Sequence, residues 1–214
     1  MIGFYNYSVI LTYIGLASSI VGMVNALEHN PRIAVLCLLF CGLCDMFDGT
    51  IARTCKRSDD AKKFGTQIDS LCDVICFGVF PAVLGYSIMP FNVFTVLCMV
   101  LYVLAAVIRL AYFNVQEINN CGEKRTYYTG LPVTSSALIM PIIALSYSIH
   151  RINTTYAYPI ALLLTGIAFI TPFKVKKPYM KGLAVLACFG AVVFYLVFRF
   201  GGSITCMRSF TGVA

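Results

Sequence analysis

The sequence predicts an all-α fold, a polytopic membrane helix bundle, and three observations carry that expectation. Of its 214 residues, 59% are hydrophobic and only 12% charged, against about 45–50% and about 25% in a soluble domain. Seven apolar runs approach the roughly 20 residues that a bilayer span needs. The lysines and arginines gather on one side of the alternation those runs would make.

The runs cover residues 5–27, 33–52, 67–89, 92–113, 131–149, 157–173 and 182–200. The first lacks a basic leader and is too long for a cleaved signal segment. Most are interrupted by Gly, Pro or a few polar residues, which spanning helices tolerate. No internal repeat and no soluble second domain is evident. The expectation is one integral-membrane domain over 1–214, with a six-helix core at about 5–180 and a seventh helix at about 182–200.

Net charge is +7, which suits anionic lipid or phosphate partners, and nothing points to nucleic acid. With the N-terminus inside, the segments 53–66, 114–130 and 174–181 and the end of the fourth run hold twelve of the 16 basic residues. Arg32, Arg151, Arg199 and Arg208 fall on the other side. The bias places the end of the second run in the cytoplasm.

Most of the ten cysteines lie within the apolar runs, where they act as small hydrophobes. The spacings Cys41–Cys44 and Cys72–Cys76 imitate zinc-ligand pairs, but such pairs usually sit in polar loops without competing acids. His29 and His150 fall in short connections and read as solvated residues.

The chemistry concentrates in "CDMFDGTIART". At about 100° per residue, Asp45, Asp48, Gly49, Ala52 and Arg53 share one helix face. The next run repeats the device in "FGTQIDSLCDVICFG", where Gly65, Asp69 and Asp73 are spaced four apart, on a stripe about 80° wide. An ionised acid inside a spanning helix costs about 2.5–3.5 kcal/mol on insertion scales, and four on adjacent helices would also repel. Hard divalent cations with oxygen ligands offset both costs. Two such ions suit reactions at phosphate oxygens. Gly49 and Ala52 clear the helix surface beside the acids, for a ligand or for tight helix packing.

These residues resemble the signature of the CDP-alcohol phosphotransferase family, D-x-x-D-G-x-x-A-R followed by G-x-x-x-D-x-x-x-D, at all eight fixed positions. Further stretches, "FGTQIDSLCDVICFGVFPA", "RLAYFNVQE", "YYTGLPVTSSA" and "KVKKP", are similar to its bacterial phosphatidylserine-synthase branch. Two departures stand out. Eleven residues rather than about eight separate Arg53 from Gly65, in a segment that reads as a polar loop. The first run also lacks the family's Pro-Asn opening.

The resemblance implies that Asp45 and Asp69 bridge two ions, Mg²⁺ or Mn²⁺, with Asp48 completing one site and Asp73 the other. Gly49, Ala52, Arg53 and Gly65 would receive CDP-diacylglycerol, and Asp73 would take the proton from the attacking alcohol. It implies L-serine as acceptor, CMP and phosphatidylserine as products, surrounding membrane lipid and a homodimer. Arg109, Lys124, Arg125 and the amides near Gly130 are the candidates to hold the serine carboxylate. Lys174–Lys181 reads as a headgroup anchor, and Ser135 and Ser136 as packing residues. Glycerol 3-phosphate or inositol phosphate as acceptor, a prenyltransferase, and a cation transporter remain alternatives.

Overall fold

The computed structural model describes residues 9–54, 58–119, 127–150, 154–176 and 180–200 of the chain. They form seven rods, one for each apolar run. These are α1 (Ile10–Leu27), α2 (Pro31–Thr54), a continuous rod of α3 (Asp59–Asp73), a π turn (Val74–Val79) and α4 (Phe80–Ile88), then α5 (Val93–Asn119), α6 (Ser136–His150), α7 (Thr154–Ile170) and α8 (Met180–Phe200). A ribbon of two three-residue antiparallel strands, β1 (Tyr127–Thr129) and β2 (Lys174–Lys176), is the one departure from helix-only architecture among the described residues.

Three helical stretches, Ile10–Leu27, Asp60–Ile88 and Val93–Gln116, are long and apolar enough to cross a membrane. Shorter apolar helices cover Val133–Ser146, Tyr156–Ile170 and Ala187–Arg199. These spans suit a membrane protein. α2 is long enough to cross but carries Arg32, Asp45 and Asp48. Large apolar side chains such as Ile14, Val21, Leu97, Leu104, Leu164 and Tyr195 are exposed; in a bilayer they meet lipid rather than water.

Local chemistry sets the helix ends. α1 closes with His29 in the left-handed region, φ 62°. The Asn30 amide reaches Asn25 O at 2.8 Å and the His29 amide reaches Ala26 O at 3.3 Å. This is a Schellman ending in which a histidine takes glycine's usual place, and His29 is exposed, as expected of a connection. His150, by contrast, is the last residue of α6 rather than a loop residue. α5 starts on a reciprocal cap, the Thr95 amide donating to Asn92 Oδ1 at 2.9 Å and the Asn92 amide to Thr95 Oγ1 at 3.2 Å.

The described residues of the segment 53–66, namely 53–54 and 58–66, are not the polar loop its composition suggested. α2 runs on to Thr54, and α3 begins at Asp59 with Ser58 as N-cap, its hydroxyl accepting from the Ala61 amide at 3.3 Å. Ser-Asp-Asp is a helix-start signal, with acids placed in the first turn where the dipole favours them. Of the residues between Arg53 and Gly65, Thr54 and 59–64 are thus helical, and 55–57 lie outside the described residues. Likewise α5 continues to Asn119, six residues past its apolar run.

The core forms where α1 packs along α2, α5 along α7, and the α3–α4 rod runs among them. Tyr102, Tyr158, Phe77, Phe80 and Phe169 are its largest fully buried side chains. Small residues bring the backbones close: a Cβ on Gly22 would overlap the Phe80 ring, and one on Gly42 would stand 2.7 Å from Ala137 Cβ. α8 packs on α2 and α6 through Val193 and Val197. The Arg32 guanidinium donates to the Phe198 carbonyl and lies 5.2 Å from that ring's centroid. The seventh helix thus backs the acid-bearing helix.

Candidate active site

The second and third rods run antiparallel, and this is what assembles the acids. Asp48 lies one turn nearer the end of α2 than Asp45, and Asp69 one turn nearer the start of α3 than Asp73. Asp48 therefore faces Asp69, while Asp45 and Asp73 line one cleft. One carboxylate oxygen each from Asp45, Asp48 and Asp69 lie within 4.8 Å of one another. Asp73 lines the same cleft as Asp45, Asp48, Thr12 and Gly15. Asp48 is buried and the other three are half-buried.

Three converging hard oxygen donors fit a divalent cation such as Mg²⁺ or Mn²⁺. A cation would also relieve the mutual repulsion of clustered carboxylates. The zinc reading of the cysteines gains no such support. Cys41, Cys44, Cys72 and Cys76 do line the cleft and are free thiols. The group of three or more convergent ligands among the described residues, however, consists of aspartates alone. The Cys41 thiol donates instead to the Gly15 carbonyl at 3.1 Å.

Gly49 is exposed, and a Cβ built on it meets nothing within 4 Å. Helix packing is therefore not its role among the described residues, and the space beside the acids is open. Gly65 is buried one turn before Asp69. Ala52 and Arg53 fall in the last turn of α2, with side chains outside the described residues. Lys124 and Arg125 lie outside the described residues altogether.

Arg109 is buried, only 6% exposed, and its Nε donates to the Leu131 carbonyl at 3.3 Å. It ties α5 to the segment entering α6. The anion-capture reading of the amides at Gly130 needs correction. Gly130 has φ +78°, its amide donates to Phe173 O at 2.7 Å, and the next amide donates to Ala168 O at 3.1 Å. Both donors are spent, one on α7 and one on the segment just after it. A Cβ at Gly130 would stand 2.9 Å from Phe169 O, so glycine is there for close backbone approach.

Three features escaped the sequence reading. Thr12 of α1 donates to Asp48 Oδ2 at 3.0 Å; nothing in the sequence separates it from the other hydroxyls of that run. Ser70 donates to Asn114 Oδ1 at 2.8 Å, joining α3 to α5 beside Asp69. The π turn opens directly after Asp73; its signal was Pro81, which removes a backbone donor.

A membrane helix bundle that converges carboxylates able to hold a divalent ion suits a membrane-embedded enzyme acting at phosphate. The family model described as CDP-alcohol phosphatidyltransferase matches residues 5–207, and the chain belongs to that family. It is a CDP-diacylglycerol-dependent phosphatidyltransferase, which sets aside the transporter and prenyltransferase readings. It is 30% identical to the CDP-diacylglycerol–serine O-phosphatidyltransferase of Bacillus subtilis over 72% of this chain and 80% of that protein. It is 31% identical to the archaetidylserine synthase of Methanothermobacter thermautotrophicus over 81% of this chain and 70% of that protein. It is 25% identical to the Mycobacterium leprae CDP-diacylglycerol–serine O-phosphatidyltransferase over 91% of this chain and 65% of that protein.

Proposed function

We propose that the chain transfers the phosphatidyl group of CDP-diacylglycerol to L-serine, forming phosphatidylserine and releasing CMP, at the cytoplasmic face of a bacterial cell membrane. The observation that carries this is the convergence of Asp45, Asp48 and Asp69 from two antiparallel helices, with Asp73 in the same cleft. The serine-specific names of the relatives support the acceptor.

Two divalent ions, held by Asp45, Asp48, Asp69 and Asp73, would supply neutralisation of the donor's diphosphate and of the leaving phosphate. The chain's own residues do the rest. Thr12 fixes the orientation of Asp48 through its hydrogen bond. Open space at Gly49, with Ala52, Arg53 and Gly65, admits the cytidine diphosphate against α2. Asp73 accepts the serine hydroxyl proton as that oxygen bonds to the phosphorus carrying diacylglycerol, and the bond from that phosphorus to CMP breaks. Arg109, Lys124 and Arg125 are the cations available to the serine carboxylate, and the domain works as a homodimer.

The test is direct. Purified protein, CDP-diacylglycerol and Mn²⁺ are incubated with labelled serine, glycerol 3-phosphate or inositol phosphate, and the lipids are separated. Label entering lipid from serine alone, with equimolar CMP, is the expected result. Label entering only from one of the phosphorylated alcohols would move the chain to that acceptor.

A further inference from the structure

Asp69 and Asp73 are aimed at α2 by a widened helical turn that other helices hold open. The turn spans Val74–Val79, and the Phe80 amide reaches back five residues to Ile75 O. One extra residue in a turn shifts everything on one side of it by about 100° relative to the other. The downstream half cannot rotate, because the Phe80 ring lies against Gly22 of α1 and Tyr158 lies against Gly85. Were the turn to relax to an ordinary α-helix, the aspartates would swing by more than the width of the stripe they occupy. The turn, together with the Ser70–Asn114 bond that holds α3 to α5, therefore sets where the acids point.

The turn has an identifiable cause and an identifiable clamp. Pro81 stands four residues after Phe77, so the Phe77 carbonyl lacks its α-helical donor. That carbonyl belongs to a residue only 1% exposed, where an unmet acceptor is costly. Two side chains from other helices meet it: the Tyr102 hydroxyl of α5 donates at 2.6 Å, and the Ser136 hydroxyl at the start of α6 donates at 3.2 Å. Tyr102 is itself fully buried, its ring against Phe169 of α7.

We propose that Tyr102, assisted by Ser136, is a positioning residue for the metal site, acting through the Phe77 carbonyl and the π turn on Asp69 and Asp73. The inference rests on the reading of those aspartates as metal ligands. Tyr158 provides an internal control. Its hydroxyl is equally buried and donates to the Pro81 carbonyl at 3.0 Å, but it does so beyond the turn.

The experiment measures Mn²⁺ binding to the detergent-purified full chain, without substrate, from the loss of the free-ion electron paramagnetic resonance signal. Thermal stability is followed in parallel. Tyr102→Phe should weaken Mn²⁺ binding about tenfold or more, the usual effect of losing an outer-shell support, and Ser136→Ala by less. Tyr158→Phe should lower thermal stability while leaving Mn²⁺ affinity within about twofold of the parent. Equal affinity in Tyr102→Phe and the parent would overturn the proposal, as would equal weakening in Tyr102→Phe and Tyr158→Phe. If Tyr102→Phe does not fold, Ser136→Ala against Tyr158→Phe decides on the same terms. Absence of Mn²⁺ binding by the parent would instead overturn the metal reading itself.

Discussion

The Thr12 hydroxyl donates a 3.0 Å hydrogen bond to Oδ2 of Asp48, joining the first helix to the acid-bearing end of the second across 36 residues of sequence. The bond occupies one lone pair of a carboxylate whose other positions face Asp45 and Asp69. Thr12→Val keeps the shape and removes the donor. Half-maximal activity should then require roughly tenfold more Mn²⁺, with a smaller fall in the rate at saturating metal. Steady-state titration of Mn²⁺ at fixed CDP-diacylglycerol checks this; an unchanged metal requirement would make Thr12 a packing residue.

Gly49 offers a cleaner separation of stability from binding. Because a Cβ there meets nothing within 4 Å, Gly49→Ala should not harm the fold. It should even stabilise the helix by about 0.5–1 kcal/mol, since alanine loses less backbone entropy than glycine. The larger Gly49→Leu should raise the KM for CDP-diacylglycerol severalfold. Thermal melts beside donor titrations distinguish the two effects, and a destabilised Gly49→Ala would show that helix packing fills that space.

The acid cluster predicts an inversion between stability and activity. Clustered carboxylates without a cation repel one another. Asp48→Asn should therefore raise the melting temperature of EDTA-treated protein while abolishing transfer. It should also remove most of the stabilisation that added Mn²⁺ gives the parent, since a ligand that binds only the folded state stabilises it. Differential scanning fluorimetry of parent and variant, each with EDTA and with Mn²⁺, measures the two stability effects, and labelled-serine transfer measures the third.

Gly130→Ala should act on the fold rather than on serine. The residue has φ +78°, and a Cβ would press on the Phe169 carbonyl at 2.9 Å. A loss of about 1–3 kcal/mol is expected from backbone strain of this kind, with the KM for serine unchanged in the protein that remains folded. A selective rise in serine KM would return Gly130 to the acceptor site.

Much of this was legible because membrane physics restricts the vocabulary. Apolar runs located all seven rods, and helical spacing put Asp45 with Asp48 and Asp69 with Asp73 before any contact was known. What was hidden depends on partners distant in sequence. Thr12 is one hydroxyl among several in α1, and only the packing of α1 on α2 selects it. The Gly130 amide looked free at a helix start because the chain that consumes it, at Phe173, lies 43 residues on. The polar stretch before Gly65 was misread since charge alone does not separate a loop from a capped, amphipathic helix start, although Ser58-Asp59-Asp60 carried the signal. Ser136 was read as a packing residue, and it meets the Phe77 carbonyl.

Crystals grown with Mn²⁺ and CDP-diacylglycerol, with data collected at the manganese absorption edge, would decide whether clustered acids hold divalent ions against a diphosphate. Anomalous peaks between α2 and α3, within about 2.0–2.4 Å of oxygens from Asp45, Asp48, Asp69 and Asp73, are expected, by analogy with hard-cation coordination distances. Donor bound with no anomalous peak touching both helices would contradict the assignment of these aspartates.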